Sequence, residues 1–340
     1  MTRTITISAT LTFALAFGLS GDAQRGQGQG PPPPFPPPQG QGRRGGGPPG
    51  RGGPNALAAM AIPDTNPLTP DKIALGRRLF FDTTLSADRT MSCATCHDPE
   101  RSYTDGRAIA KGVHEAAGAR NTPTILNAGF GRTFFWDGRA TTLEQQVLGP
   151  IINPKELGLT ETDLKQRTGL ESKDVAAALA SYVRTIRSSE SRYDWFLAGQ
   201  SEMLTAEERL GLEIFRGRAG CTTCHGGPNL TDDRFHNTGV GWGANGPADN
   251  GRFDVTSAEP DRGAFKTPTL RDIARTAPYM HDGSLPTLES VVDFYGRGGN
   301  RNPNLDPRMR PEQFRPDEKR ALVAFLKTLT GRASEGLPER

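Results

Sequence analysis

CATCH at residues 93–97 and CTTCH at residues 221–225 hold all four cysteines of this 340-residue chain. Each is a complete C-x-x-C-H motif. That spacing lets two thiols reach the two vinyl groups of one porphyrin while the following His turns beneath the iron. Zinc would need further Cys or His grouped nearby, and a redox dithiol or a local disulfide does not require His after the second Cys in both copies. The motifs therefore predict two covalently bound haem c groups, attached through Cys93 and Cys96 with His97 as proximal ligand, and through Cys221 and Cys224 with His225.

Working outward, the chain repeats itself around the two motifs. LGRRLF (75–80) matches LGLEIF (210–215), TPTILN (122–127) matches TPTLRD (267–272), and WDGRATTLEQQV (136–147) matches HDGSLPTLESVV (281–292). Three blocks in the same order imply two copies of one haem-binding module. Helices are expected from Pro70 to Phe80, from a Thr205/Glu208 capping box to Phe215, over 171–187 and over 317–329, with Gly- and Pro-rich loops elsewhere. The predicted fold is mostly α: two tandem cytochrome c-like haem domains with long loops, covering 55–200 and 201–340.

What precedes them is of another kind. Residues 1–23 carry Arg3, an apolar run from Ile5 to Leu19 and small residues at Gly21 and Ala23, the pattern of a secretory signal cleaved after Ala23 and hence of a periplasmic protein; an uncleaved anchor is the alternative. Residues 24–54 are almost wholly Gly, Pro, Gln and Arg and read as a disordered tether. The net charge of +3 is concentrated there, in Arg25, Arg43, Arg44 and Arg51, so the body of the chain is near neutral and is not built to bind nucleic acid.

The repeat, extended without a gap, sets Phe135 opposite Met280, Trp136 opposite His281, Glu144 opposite Glu289 and Pro150 opposite Tyr295. Proline offers no donor atom, so a sixth ligand at this position in one module has no counterpart in the other. An open iron binds small molecules and a closed one passes electrons.

Together, the two C-x-x-C-H modules, RNTPTILN, FFWDGRATTLEQQ, FHNTG and APYMHDG resemble the bacterial dihaem cytochrome c peroxidases and their MauG relatives over about residues 66–330. The resemblance implies that hydrogen peroxide is reduced at the N-terminal haem with electrons relayed by the C-terminal haem from a small c-type cytochrome or cupredoxin, and it allows a homodimer. It further implies Glu144 as the acidic proton carrier and His114 as a resting-state distal ligand. A Gln often found before F-W-D-G is replaced by Phe134. Calcium would sit at Asn121, Thr276 and Pro278. Tyr295 stands where the classical peroxidases place a Met ligand and where MauG has a tyrosine. An anionic phenolate favours ferric iron and lowers the potential of the second haem.

Plainer readings stand beside these. Glu144 also fits a capping box with Thr141. His114 also fits an exposed loop histidine, and Tyr295 a core aromatic. Met280 reads first as a packing residue and second as an iron ligand, His281 and His236 as supporting residues, and Trp195 and Trp242 as core. Two further functions remain open: a MauG-like oxidase acting on a protein or organic substrate through high-valent iron, and a non-catalytic dihaem electron carrier.

Overall fold

The computed structural model describes residues 60–336; the expected signal and the whole of the expected tether lie outside the described residues. In the first module α1 (Pro70–Phe80) starts on a Thr69 cap, and α2 (Cys93–Cys96) carries the first motif. They are followed by α3 (Leu143–Ile152), α4 (Glu161–Thr168) and α5 (Ser172–Val183). A short strand, β1 (Arg187–Ser189), leads into α6 (Arg192–Leu197). The second module has α7 (Ala206–Arg216), opened by the Thr205/Glu208 capping box, then β2 (Phe235–His236), β3 (Trp242–Gly243) and β4 (Gly246–Pro247). Next come α8 (Phe253–Thr256), β5 (Phe265–Lys266), α9 (Leu288–Gly296), α10 (Pro316–Lys327) and β6 (Arg332–Ser334). No described helix is long and apolar enough to cross a membrane.

Expected and observed helices agree closely at α1 and α7. The predicted helix over 171–187 stops at Val183, because residues from Arg187 pair as β1 with β6 in antiparallel register, Ser188 opposite Ala333. The box expected between Thr141 and Glu144 does not form. Thr142 caps α3 instead, and Gln145 Oε1 accepts from both the N–H and the hydroxyl of Thr141.

Each module has one apolar core. The first gathers Phe80, Leu126, Ile151, Leu179 and Tyr182; the second gathers Leu212, Phe215, Val292, Leu322 and Phe325 and already includes Tyr193, ahead of the expected boundary at 200. The two are built alike. α1 crosses α5 where Gly76 meets Ala178 and Tyr182, and α7 crosses α10 where Gly211 meets Ala321 and Phe325. A Cβ on Gly76 would lie 2.0 Å from the Ala178 carbonyl oxygen, and one on Gly211 would lie 1.9 Å from that of Ala321, so only glycine permits this approach.

Gly76→Ala and Gly211→Ala should each force their helix pair apart and destabilise the protein by about 1–3 kcal/mol, read as a lower urea midpoint of the haem-loaded protein.

Candidate haem sites

Both motifs open onto one cavity of about 1270 Å³, lined by Cys93, Cys96 and His97 on one side and Cys221, Cys224 and His225 on the other. The four sulfurs are free. Burial pushes the Cys93 and Cys221 thiols up to about 12 and Cys96 up to about 11, away from the low range of a reactive dithiol.

Each motif His is held in the same way. His97 Nδ1 lies 3.0 Å from the Tyr103 carbonyl oxygen, and His225 Nδ1 lies 3.2 Å from that of Leu230. A carbonyl only accepts, so Nδ1 carries the hydrogen and Nε2 keeps its lone pair for a metal. Burial holds both imidazoles neutral, lowering His97 and bringing His225 down to about 4. Tyr103 (φ 59°) and Leu230 (φ 51°) both adopt the left-handed backbone that large residues avoid, and that strained turn aims each carbonyl at its histidine. The sequence signal for this arrangement is the Thr-Asp pair that follows each residue, at Thr104-Asp105 and Thr231-Asp232.

Opposite the motifs lie α3 and α9. Leu143, Gln146, Val147 and Pro150 of α3 line the cavity, and so do Leu288, Val291, Val292 and Tyr295 of α9. Pro150 and Tyr295 are each the eighth residue of their helix. Tyr295 is buried, and its phenol is raised well above the ordinary range by burial and by the neighbouring Cys221 and Cys224. Met280 also lines the cavity and packs on the second core. It shares a left-handed conformation with its repeat partner Phe135, the φ values being 73° and 66°. His281 is buried, brought down to about 4 by burial, and stacked on Phe265 at 3.5 Å between ring centres. His236 is fixed between Asp232 at 2.9 Å and Asp306 at 2.8 Å, beside Cys224.

Two of the expected site residues are elsewhere. Glu144 does not line the cavity: Arg184 binds its carboxylate with two hydrogen bonds of 2.7 and 3.1 Å, and Asn66 donates a third at 2.7 Å. Burial opposes its charge, but these partners outweigh burial and hold it below the usual carboxylate range. His114 also lies outside the cavity lining; its side chain is 74% exposed and faces Asp88 at 3.7 Å. The loop that carries it folds outward, with Gly112 and Val113 anchored against Lys155 and Glu156.

Among the carboxyl groups that line the cavity is Glu156, six residues beyond Pro150. Asn153 donates to it at 2.8 Å, and burial raises it above the ordinary carboxylate range despite that bond and the nearby Arg139. Gln146 supplies the polar amide that the Phe134 substitution had left wanting. Asn121, Thr276 and Pro278 also line the cavity. The Asn121 amide nitrogen is engaged by the Arg107 carbonyl at 2.7 Å, which leaves its Oδ1 free to accept.

These residues fit two haem groups: paired thiols and a neutral imidazole with a free Nε2 at each motif, facing one shared cavity. The family model of the di-haem cytochrome c peroxidases matches residues 70–171. The methylamine utilization protein MauG of Methylorubrum extorquens is 40% identical over 285 residues, 78% of this chain and 80% of that protein. This chain belongs to the dihaem cytochrome c peroxidase and MauG family. It is also 36% identical to the cytochrome c551 peroxidase of Nitrosomonas europaea over 79% of this chain and 83% of that one. The crystal structure of a MauG-like protein associated with microbial copper homeostasis superimposes with a TM-score of 0.76 at 34% identity, covering 82% of this chain and 94% of the other. As a member of the family the chain is an oxidoreductase that carries two covalently bound haem c groups.

Glu144→Gln should remove the charge that faces the buried Arg184. The expected result is a loss of about 2 kcal/mol in urea unfolding with haem attachment intact in the pyridine haemochrome spectrum.

Proposed function

We propose that this protein is a periplasmic peroxidase that reduces hydrogen peroxide to water at the N-terminal haem, with electrons relayed by the C-terminal haem from a small c-type cytochrome or cupredoxin. The observation that carries the reading is the unlike pair Pro150 and Tyr295 at equivalent places on α3 and α9. Haem c supplies reversible one-electron chemistry at each motif and, where no side chain closes the sixth position, a place for peroxide to bind.

Cys93, Cys96 and His97 would hold the first group, and Cys221, Cys224, His225 and Tyr295 the second. Pro150 contributes no donor atom, so the cavity on its side stays free for a small molecule. Gln146 offers an amide N–H there to orient it. Glu156 keeps its proton above the usual carboxylate range, so it can give that proton to the departing oxygen and recover it from solvent. Tyr295, as an anionic ligand, would hold the second site at low potential. Asn121, with the backbone carbonyls of Thr276 and Pro278, would supply oxygen ligands to a calcium ion.

Tyr295 also favours a second reading, oxidation of a protein or organic substrate in the manner of the MauG relatives. Peroxide-dependent turnover with reduced cytochrome c separates the two: rapid turnover supports the peroxidase, and absent turnover supports the second reading.

Glu156→Gln should lower kcat/KM for peroxide about 100-fold or more, whereas Glu144→Gln should leave it nearly unchanged. In the wild type the rate should fall as pH rises through the Glu156 titration, which lies above the ordinary glutamate value of about 4.3. For Tyr295→Phe, a spectroscopic redox titration should show the second haem moving to higher potential; an unchanged potential would remove Tyr295 from the ligand set.

A further inference from the structure

The first module contains a buried phenol pair that the scheme above does not use. Tyr103 and Tyr182 are 3% and 0% exposed, and both hydroxyls donate to Glu335 Oε2, Tyr103 at 3.2 Å and Tyr182 through a very short bond. Glu335 follows directly on β6, whose pairing with β1 delivers the carboxylate to this spot, and Arg77 Nε holds its other oxygen at 2.8 Å. Burial opposes the charge on Glu335, but Tyr182 and Arg77 keep it ionised.

The pair is coupled to the first haem site by two routes. The backbone carbonyl of Tyr103 is the group that fixes His97. Phe80 lines the cavity and lies edge-on to both rings, 6.5 Å from Tyr103 and 5.2 Å from Tyr182 between ring centres. The second module lacks the whole device. Leu230 stands in the place of Tyr103 beneath His225, and Phe325 stands in the place of Tyr182 against the helix glycine. Neither replacement has a hydroxyl, so the phenols are confined to the module with the open face.

We propose that Tyr103 and Tyr182 form a redox-active pair that returns one electron to the N-terminal haem site after it has been oxidised by hydrogen peroxide, with Glu335 as the proton acceptor. This rests on the reading that peroxide reacts at that site. Reduction of hydrogen peroxide breaks its O–O bond and consumes two electrons from that site and two protons from solvent, giving two molecules of water. One electron then passes back from a phenol, its O–H bond breaks, and the proton moves to Glu335 Oε2. The products are a neutral tyrosyl radical and a protonated Glu335. A later electron from the donor protein and return of the proton restore the phenol. The pair thus takes up an oxidising equivalent when donor is scarce, on two buried rings that Phe80 separates from the cavity. A carboxylate already hydrogen-bonded to both phenols needs no rearrangement to accept the proton.

The test is freeze-quench electron paramagnetic resonance of the haem-loaded protein after one equivalent of hydrogen peroxide without electron donor, with the haem absorbance recorded in parallel. The expected result is an organic radical whose spectrum narrows when the protein is grown on ring-deuterated tyrosine. That radical is lost in the Tyr103→Phe, Tyr182→Phe double variant, and its formation is slowed about 100-fold or more in Glu335→Gln. If peroxide changes the haem absorbance but no deuterium-sensitive radical forms in the wild type, the pair is not redox-active and the proposal fails while the peroxidase reading stands. A radical that persists in the double variant overturns the proposal as well. Absence of any absorbance change would remove the peroxide reading, and this proposal with it.

Discussion

Two backbone hydrogen bonds tie the halves of this protein to each other. Asn121 N donates to the His281 carbonyl at 2.7 Å, and Lys266 N donates to the Trp136 carbonyl at 2.8 Å. Each donor stands immediately before a T-P-T stretch, and each acceptor opens a D-G stretch, so the two bonds are one contact made twice by the repeat. They bring the Trp136 and His281 rings to 6.5 Å in the seam between the modules. Both acceptors follow a residue in left-handed conformation, Phe135 and Met280, and the turn this creates directs the next carbonyl across to the other module. The shared cavity follows from this exchange, because it faces the two motif-bearing loops toward one interior.

A polypeptide core alone does not fill that interior. Each module packs one pair of crossed helices through a glycine and places a third helix, α3 or α9, across from its C-x-x-C-H motif. The space between belongs to the cofactor, which accounts for the long loops and for the scarcity of sheet: three two-stranded pairs among the described residues. The imidazoles are prepared for the metal by strained carbonyl acceptors on Tyr103 and Leu230, so the backbone and not a second charged side chain sets the tautomer.

Much of this was legible in the sequence. The two motifs, the duplication, the caps at Thr69 and Thr205 and the opposition of Pro150 to Tyr295 all depend on local spacing, which a linear chain displays directly. Glu144 and His114 lie outside the cavity lining for a physical reason. Their roles were carried over by counting along the chain, and a count does not say which way a side chain faces. On α3 the cavity-facing residues recur at 143, 146, 147 and 150, a single helical stripe, and Glu144 lies about 100° off it. The stripe at 288, 291, 292 and 295 of α9 repeats the pattern and leaves Glu289 off in the same sense. Helical period applied to both repeats sets Glu144 and Glu289 off the cavity-facing stripe. Glu156 was harder to find, because it lies beyond the helix end, in a loop whose course no periodicity describes.

The same stripes show how little sequence separates the two modules at their irons. Two of the four positions are alike in kind: Leu143 matches Leu288, and Val147 matches Val292. The differences are Gln146 for Val291 and Pro150 for Tyr295. One helix therefore presents an amide and no ligating atom, and the other presents an apolar surface with a phenol at its end. The first combination suits a small polar molecule held beside the metal. The second would suit the sixth donor proposed for Tyr295. A duplicated scaffold thus differs at two positions on one cavity-facing helical stripe, and it is this difference on which the proposed division between a reactive and a conducting haem rests.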